Sequence, residues 1–312
     1  MKQSRLFDDV TALDWQLVDW PAPTATGLPD FFERRWAIAN CSDPLLANGE
    51  GISGALEELL RRADESDRLE LWFGPELEDQ LSLCLVIIQI SARAELADRT
   101  VVVPLDVRLG AQRPEWIRAY SPTFLPLSDA MRDLAPAAWS AFCAPTPEPW
   151  LALMNQDTSA LPYLGPQGRR WLQELPDSAT GLSRTQRDWL EEIAANPQKM
   201  MIAFGQLGAF RAPTHGYWRL GEILVDMFNA KEPAITGVSV PVFDLALHED
   251  SGRHRAFHDA RPRLTPFGEA LLAGEADYAA HNAIDRWWGG THLTKGNLWR
   301  WSATTASLIA PA

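Results

Sequence analysis

The sequence predicts an α/β amino-terminal domain of Rossmann-like βα units, followed by an α-rich, winged-helix-like carboxy-terminal domain. Three observations lead to this fold class. An apolar run at 69–73 passes through Gly74-Pro75 into a helical pattern, as expected of a strand that turns directly into a helix. A proline-dense stretch follows at 144–149, and helical patterns predominate after it. The predicted domains are therefore residues 1–146 and 147–312.

The composition indicates a globular protein with enough apolar residues to form buried cores. The chain has 312 residues, of which 46% are hydrophobic, and a formal net charge of −13. This acidic balance disfavours general attraction to nucleic acid or anionic lipid. Cys41, Cys84 and Cys143 lack C-x-x-C spacing, which predicts reduced core residues and neither disulfides nor a zinc site. No segment reaches the roughly 18 apolar residues needed to cross a bilayer, so we expect a cytoplasmic protein without a membrane partner.

The segments before the central strand predict a short strand, a helix and a loop. Residues 15–20, WQLVDW, are typical of a first strand. Residues 28–38 suit a helix whose adjacent arginines, Arg34-Arg35, face solvent. The run 49–54 has the form G-x-G-x-x-G, but no buried strand precedes it. We therefore expect a flexible loop that ends in a Ser53 N-cap, in preference to a dinucleotide site.

The turn after the central strand is the first candidate site. In open α/β sheets, ligands bind outside the carboxyl ends of the strands. Four polar side chains occupy this turn and the first turn of the helix: Glu76, Glu78, Asp79 and Gln80. Carboxylates at a helix N-terminus offset the positive end of the helix dipole and disfavour a phosphate there. One interpretation of this group is capping and solvation, and the other is a polar cluster that holds a hydroxyl-rich ligand or a metal.

The remaining elements follow from residue pattern and capping chemistry. Residues 100–107 predict a second strand, and residues 127–142 predict a helix capped at Ser128-Asp129. In the second domain, Ser183-Arg-Thr-Gln186 has the capping-box form, and Thr265-Pro266 is typical of a helix start. Helical patterns also cover 150–155, 168–175 and 218–228.

A basic hairpin is the second candidate site. Residues 238–247 predict a strand, and a turn at 249–252 leads into 253–257, as in the wing of a winged-helix domain. Four arginines that would face DNA phosphates in such a wing lie here: Arg253, Arg255, Arg261 and Arg263. A solvated hairpin is the alternative that the acidic net charge favours. The neighbouring His248, His254, His258 and Asp259 lack a recognised metal-binding spacing, so we interpret them as loop residues and predict no metal site.

The segment 282–301 near the carboxyl terminus has a dense mixture of polar and aromatic residues. A binding site there would use Asp285, Arg286, Gly289, Gly290 and His292, with the glycines allowing close approach of the backbone. The alternative, which we favour, is structural: the Asp-Arg pair fixes a turn while the tryptophans pack this segment against the core.

Four segments of the chain stand out as possible family signatures: LELWFGPELEDQLSL, GLSRTQRDWLEEIA, RLTPFGEALLAG and IDRWWGGTHL. Together they resemble a bacterial family known only as domain of unknown function 1835, across residues 69–301. The resemblance implies an α/β domain followed by an α-rich, winged-helix-like domain, and it supplies no activity. It also marks positions worth testing: Asp79, Gln80, Asp285, Arg286, Gly289, Gly290 and His292. Family members usually open with an apolar strand and a Gly-Asp turn, whereas this chain begins MKQSRLFDDV.

The sequence favours a cytoplasmic, non-enzymatic regulatory or interaction protein whose α/β domain binds a small molecule or a protein partner. It has no G-x-S-x-G motif, P-loop or metal-ligand motif, and it identifies no cofactor. Two alternatives stay open. One is a hydrolase-type enzyme acting at the carboxyl ends of the strands through Glu76 or Asp79 near Gln80, together with Asp19. The other is a DNA-binding regulator that uses the Arg253–Arg263 hairpin.

Overall fold

The computed structural model describes residues 10–13, 15–25, 28–39, 49–195, 199–208 and 214–311. The fold is mixed α/β, about half helical, with small sheets. The chain divides into two compact units: Met1–Arg169 with Gly289–Thr291, and Arg170–Trp288 with His292–Ala312. The division into folding domains at 146/147 stays a prediction. Among the described residues, no helix is long and apolar enough to cross a bilayer.

The first part of the chain contains three short strands among its helices. In chain order they are α1 (Leu28–Ala39), α2 (Gly49–Asp64), β1 (Leu69–Phe73), α3 (Leu77–Ser91), α4 (Ala94–Asp98), β2 (Thr100–Pro104), a 3₁₀ turn (Leu109–Ala111), α5 (Pro114–Ala119), β3 (Leu125–Pro126), α6 (Asp129–Phe142), α7 (Glu148–Met154) and α8 (Leu164–Leu172).

A βαβ unit is the centre of the first unit. Strands β1 and β2 pair in parallel, from Leu69 opposite Thr100 to Phe73 opposite Pro104, and α3 and α4 connect them. The short strand β3 adds to β2 in the antiparallel direction. The predicted strand–turn–helix at 69–90 is therefore confirmed. The parallel pairing brings the carboxyl ends of β1 and β2 to one edge of the sheet.

Helix α3 is buried almost all round because its residues are apolar on nearly every face after the first turn. Leu81, Cys84, Val86 and Ile87 have essentially no exposed surface. The helix packs against α6, which begins at the predicted cap, where the Ser128 hydroxyl accepts a hydrogen bond from the Met131 N–H. Each fully buried leucine or isoleucine contributes about 1.5–3 kcal/mol of transfer free energy. The polar first turn of α3 is thus fixed on a rigid element.

The rest of the chain is mainly helical. Its elements are α9 (Arg184–Ala195), α10 (Met200–Gln206), α11 (Tyr217–Asn229), β4 (Ile235–Thr236), α12 (Leu245–Glu249), α13 (Ser251–Asp259), β5 (Arg263–Leu264), α14 (Pro266–Ala273), α15 (Tyr278–His281), β6 (Arg286–Trp288), β7 (Thr291–Leu293), β8 (Arg300–Ser302) and β9 (Ser307–Ile309).

The second unit has its own core, and two predicted helix starts are confirmed in it. Buried side chains of α9, α11 and α13, among them Trp189, Leu224 and Phe257, pack in one cluster. Helix α9 starts with a complete capping box, because Ser183 and Gln186 exchange hydrogen bonds in both directions. Helix α14 starts where the Thr265 hydroxyl accepts from the Gly268 N–H.

Three local predictions are wrong. Residues 15–20 form a turn instead of a strand. Residues 49–53 are helical, so α2 begins upstream of the predicted Ser53 cap. The wing hairpin is replaced by α12 and α13, because Asp244 and Asp250 each accept backbone N–H bonds as helix N-caps. The strands that pair near this segment are β4, which precedes the two helices in the chain, and β5, which follows them, and their pairing is antiparallel.

Candidate functional site

The turn between β1 and α3 folds the first turn of the helix back onto Gly74. The Gly74 N–H donates a hydrogen bond of 2.6 Å to Oδ2 of Asp79. The side-chain amide of Gln80 donates from Nε2 to the Gly74 carbonyl, at 2.8 Å. Both polar groups of the glycine backbone are thus bound by side chains of α3, which fixes those side chains at the carboxyl end of the strand.

Oxygen atoms crowd around the α-carbon of Gly74. A Cβ atom at this position would lie 2.6 Å from Oε2 of Glu76, 2.7 Å from Oδ2 of Asp79 and 3.3 Å from the Val107 carbonyl oxygen. Two carboxylates therefore converge on one point, and Val107, in the loop after β2, adds a carbonyl. We call Gly74, Glu76, Asp79, Gln80 and the Val107 carbonyl the Gly74 site.

Two oxygens of the Gly74 site are buried without a donor. Oε1 of Glu76 accepts from Nε of Arg108 at 2.8 Å, but Oε2 of the same carboxylate has no hydrogen-bond partner among the described residues. Oε1 of Gln80, a side chain only 2% exposed, also lacks a donor in the described part of the chain. Its orientation is fixed, since Nε2 must face the Gly74 carbonyl. Leaving a buried acceptor unpaired costs about 1–3 kcal/mol.

Glu78 belongs to the same helical turn but contacts a different part of the chain. Its Oε2 accepts from the Val18 N–H at 3.0 Å, while Oε1 is buried and has no partner in the described ranges. Burial raises the pKa of this carboxyl from 4.5 to about 7, although hydrogen bonds from the backbone of Leu17 and Val18 act to lower it. The charge of Asp19 raises the pKa further, and Arg35 lowers it. A carboxyl of this kind can gain or lose a proton near neutral pH.

The turn that faces Glu78 is held by a buried arginine. Arg35 is 5% exposed and donates to the carbonyl oxygens of Trp15 (2.8 Å) and Gln16. Gln16 has a φ of +49°, a left-handed conformation that is strained for a residue other than glycine. The prediction that both arginines of α1 face solvent is wrong for Arg35 and right for Arg34, which pairs with Asp30 at the surface. These hydrogen bonds to two carbonyl groups of the turn account for the burial of Arg35.

The end of β2 adds another carboxylate to the same edge of the sheet. Asp106 is exposed and immediately precedes the carbonyl group of Val107. Burial raises the pKa of the phenols of Tyr120 and Tyr163, and the negative charge of Asp106 raises both further. Asp106 therefore acts electrostatically on both tyrosines. The edge as a whole is negative and rich in acceptors.

In the carboxy-terminal motif, Asp285 and His292 form a surface pair. Oδ1 of Asp285 lies 2.7 Å from Nε2 of His292, and their side chains are 78% and 42% exposed. The imidazole stacks on the indole of Trp287, with ring centroids 4.5 Å apart and an interplanar angle of 4°. Exposed pairs of this kind usually contribute less than about 1 kcal/mol.

Arg286, by contrast, belongs to a buried charged network of the second unit. It donates to the Glu174 carbonyl at 2.5 Å, and burial lowers its pKa to about 10 although the Glu174 carboxylate acts in the opposite direction. Burial alone would raise the pKa of Glu174, but hydrogen bonds from His215 and Thr185 and the charge of Arg286 lower it to about 2. The network satisfies charges inside a core, which is a structural role.

The two glycines of the motif allow close backbone approach within the first unit. The Gly290 N–H donates to the Phe142 carbonyl at 2.9 Å, and the Gly289 carbonyl accepts from the Ala22 N–H at 3.0 Å. Gly289 has a φ of +55°, and a Cβ atom on either glycine would collide with a backbone carbonyl at the end of α6. These glycines are thus required for packing.

The tryptophan that precedes these glycines packs in the core of the second unit. Trp288 stacks on Trp171 with a centroid distance of 5.1 Å, and its indole N–H donates to the Trp171 carbonyl at 2.9 Å. These contacts support the structural interpretation of this segment.

The predicted nucleic-acid residues lie on α13 and around β5 instead of on a hairpin. All four are exposed: Arg253, Arg255, Arg261 and Arg263. Their exposure leaves them accessible to an anionic partner. The wing that would have directed them into a DNA groove is not formed.

The histidines of α12 and α13 form a row of imidazoles. Ring centroids are 5.0 Å apart for His248 and His254 and 3.9 Å apart for His254 and His258. Nδ1 of His248 donates to the Asp244 carbonyl at 3.0 Å, so its Nε2 accepts from the Tyr217 hydroxyl at 2.9 Å. Across the described ranges, no group of three His, Cys, Asp or Glu residues is placed to hold a metal ion.

The cysteines that the structure describes carry no indication of reactivity. Cys84 and Cys143 are free thiols in buried positions, and burial raises the pKa of each to about 12. Cys41 lies outside the described residues.

The sequence grouped Glu76, Asp79 and Gln80, whose side chains the structure places around Gly74, but it did not indicate their partners from the loop after β2. Arg108 and the Val107 carbonyl reach the Gly74 site from about 30 residues along the chain. The available signal was the prediction of Rossmann-like βα units, because in such units the carboxyl ends of parallel strands lie at one edge of the sheet.

Comparison of the chain with protein-family models, with curated proteins and with solved structures gave no match. The resemblance to the uncharacterised bacterial family therefore stays a prediction.

Proposed function

We propose that this chain is a non-enzymatic regulatory or interaction protein whose first unit binds a small molecule at the Gly74 site. One observation carries the proposal: Oε2 of Glu76 and Oε1 of Gln80 are buried acceptors with no donor among the described residues. Buried polar groups in native proteins are nearly always paired, and an exception calls for an explanation such as a missing ligand.

The position and rigidity of the site support the proposal. It lies at the carboxyl ends of two parallel strands, where ligands of open α/β sheets bind. Glu76 is held by Arg108, and Asp79 and Gln80 are held by the Gly74 backbone. A ligand that supplies hydrogen-bond donors would pair these two buried acceptors. Acceptors that are held in place by other hydrogen bonds suit the binding of a ligand better than they suit proton transfer.

The experiment is a thermal-shift screen against amines, polyols, amino acids, nucleotides, sugar phosphates and divalent metals. We expect at least one donor-bearing compound to raise the melting temperature of wild type and to have no effect on Gln80→Leu. Glu95→Gln is the matched control, because Glu95 is an exposed carboxylate on α4, at the amino end of β2. The proposal is contradicted if the screen finds no compound whose effect on the melting temperature depends on Gln80.

An enzyme is the second candidate, and the buried carboxyl of Glu78 favours it. A pKa of about 7 suits a general acid or base at neutral pH. A compound identified by the screen should then be converted by wild type and left intact by Glu78→Gln. Equal recovery of the unchanged compound from both proteins would eliminate this candidate.

Nucleic-acid binding has one observation in its favour, the exposure of four arginines on and after α13. Polarisation of labelled DNA at low salt tests it, with Arg253→Ala and Arg255→Ala combined in one variant. Binding that falls steeply with salt and with this variant would establish it, and constant polarisation would eliminate it.

A further inference from the structure

We infer that the ligand of the Gly74 site is an organic cation, a small molecule that presents a primary ammonium or guanidinium group. The inference rests on the proposed function, because it names the chemistry of the ligand that would fill that site. It follows from the kind of atoms that meet there and from their charge.

The atoms at the Gly74 site that a ligand would have to pair are acceptors. Oε2 of Glu76 and Oε1 of Gln80 are buried and lack donors within the described chain. Oδ2 of Asp79 and the Val107 carbonyl oxygen lie near the same point. The one N–H of Gly74 is already donated to Asp79, and Nε2 of Gln80 is donated to the Gly74 carbonyl. A matching ligand must therefore bring donors.

The charge of the site selects a cation. Glu76 and Asp79 each carry a carboxylate, and Nε of Arg108, a side chain more than half exposed, binds Oε1 of Glu76. Asp106 adds an exposed negative charge to the same edge. A phosphate or carboxylate ligand would face these negative charges. Two acidic residues in the first turn of α3 also offset the positive end of the helix dipole.

An ammonium group fits this set of atoms better than a hydroxyl group does. An ammonium has three N–H donors and no acceptor, whereas a hydroxyl brings one donor and two lone pairs. Those lone pairs would face carboxylate oxygens. Hydrogen bonds between charged partners are also roughly twice as strong as neutral ones.

A metal ion fits less well. Mg²⁺ and Ca²⁺ bind six or more oxygen ligands, commonly several carboxylates. The described residues contain no group of three His, Cys, Asp or Glu side chains placed around one point. The directional acceptors at Glu76 and Gln80 suit N–H groups instead.

The test measures binding by isothermal titration calorimetry with 1,4-diaminobutane and agmatine. Each is compared with 1,4-butanediol, which has the chain length of the diamine without its charge, and with inorganic phosphate and Mg²⁺. We expect both amines to bind wild type, with affinity that falls as salt is raised. Butanediol, phosphate and Mg²⁺ should give no binding heat.

Two variants locate the binding. Glu76→Gln keeps the shape of the side chain and removes its charge, so amine affinity should fall at least tenfold. Gly74→Ala places a methyl group against the two carboxylates and should abolish binding. The controls are Glu95→Gln and Gly110→Ala, since a Cβ atom at Gly110 meets no other atom within 4 Å. If Gly74→Ala does not fold, the isosteric Glu76→Gln variant decides the question alone.

The outcomes separate the inference from the proposed function. If butanediol, phosphate or Mg²⁺ binds with dependence on Glu76 while the amines do not, the site is real and its assignment to a cation is wrong. If the amines bind equally to wild type and Glu76→Gln, the assignment is also wrong. If no compound in this set or in the larger screen depends on the Gly74 site, both the inference and the proposed function fail.

Discussion

The carboxyl of Glu78 makes a quantitative prediction about stability and pH. Its charged form is disfavoured by burial, so the folded protein holds a proton there at a pH where the unfolded chain has lost it. Replacing Glu78 with glutamine removes the titration. The variant keeps a side-chain oxygen that can accept from the Val18 N–H, so the hydrogen bond of 3.0 Å survives.

The magnitude follows from the pKa of about 7 in the folded state against an ordinary value of 4.5. Because the folded pKa is raised, the contribution of Glu78 to stability is complete below pH 4.5 and is lost as the pH rises through 7. Each pKa unit corresponds to about 1.4 kcal/mol, so wild type should lose about 3 kcal/mol of unfolding free energy. Part of the side chain is accessible to solvent, which makes this an upper value.

The assay is urea unfolding of wild type and Glu78→Gln at half-unit steps from pH 4.5 to 8.5. We expect the unfolding free energy of the variant minus that of wild type to rise by about 2–3 kcal/mol across this range. Glu95→Gln, an exposed carboxylate, should show a constant difference. A constant difference for Glu78→Gln as well would refute the burial argument, and a falling one would mean that the charged form is favoured.

Three further predictions concern other positions. Gly290→Ala should lower the urea-derived unfolding free energy by about 2 kcal/mol or more, because its Cβ would collide with the Cys143 carbonyl. Glu174→Gln should lower the unfolding free energy, measured with urea, by up to about 3 kcal/mol at pH 7. Because the pKa of Glu174 is lowered from 4.5 to about 2 in the folded protein, this loss should shrink as the pH falls from 4.5 to 2. The pKa of His258 is lowered mainly by burial and further by the neighbouring imidazoles of His254 and His248. His254→Gln should therefore raise the pKa of His258, measured by NMR titration of the histidines.

Each of these predictions has a control. Gly296→Ala should leave stability nearly unchanged, because no atom lies within 4 Å of its added Cβ. Glu275→Gln, at an exposed site, should show no acid-dependent difference. An unchanged titration of His258 in the His254→Gln variant would mean that the row of imidazoles is not electrically coupled. If Gly290→Ala and Gly296→Ala lower the unfolding free energy equally, the close-packing argument is contradicted.

Local chemistry made several elements predictable from the sequence. Gly74-Pro75 ends β1 and starts a helix, and the caps at Ser128, Ser183 and Thr265 use short-range hydrogen bonds that residue type determines. The proximity of Glu76, Asp79 and Gln80 was predictable for the same reason, since a strand–turn–helix places them together. These predictions needed no knowledge of distant contacts.

Features that depend on distant or competing partners were not predictable in this way. Arg35 appeared to belong to a solvated helix face, but two carbonyl groups 19 and 20 residues away bury it. Asp250 fitted a turn between strands equally well, and it acts as an N-cap that commits the following residues to helix. The arginine and the carbonyl group that complete the Gly74 site come from beyond β2.

The central claim is that the Gly74 site binds a donor-bearing cation, and NMR of the isotopically labelled protein tests it most directly. The backbone amide of Gly74 and the side-chain amide of Gln80 report on the atoms that the ligand would contact. We predict that 1,4-diaminobutane shifts both signals in a saturable way, while 1,4-butanediol leaves them unchanged. Signals that stay in place with every amine, or that move only elsewhere in the chain, would contradict the account.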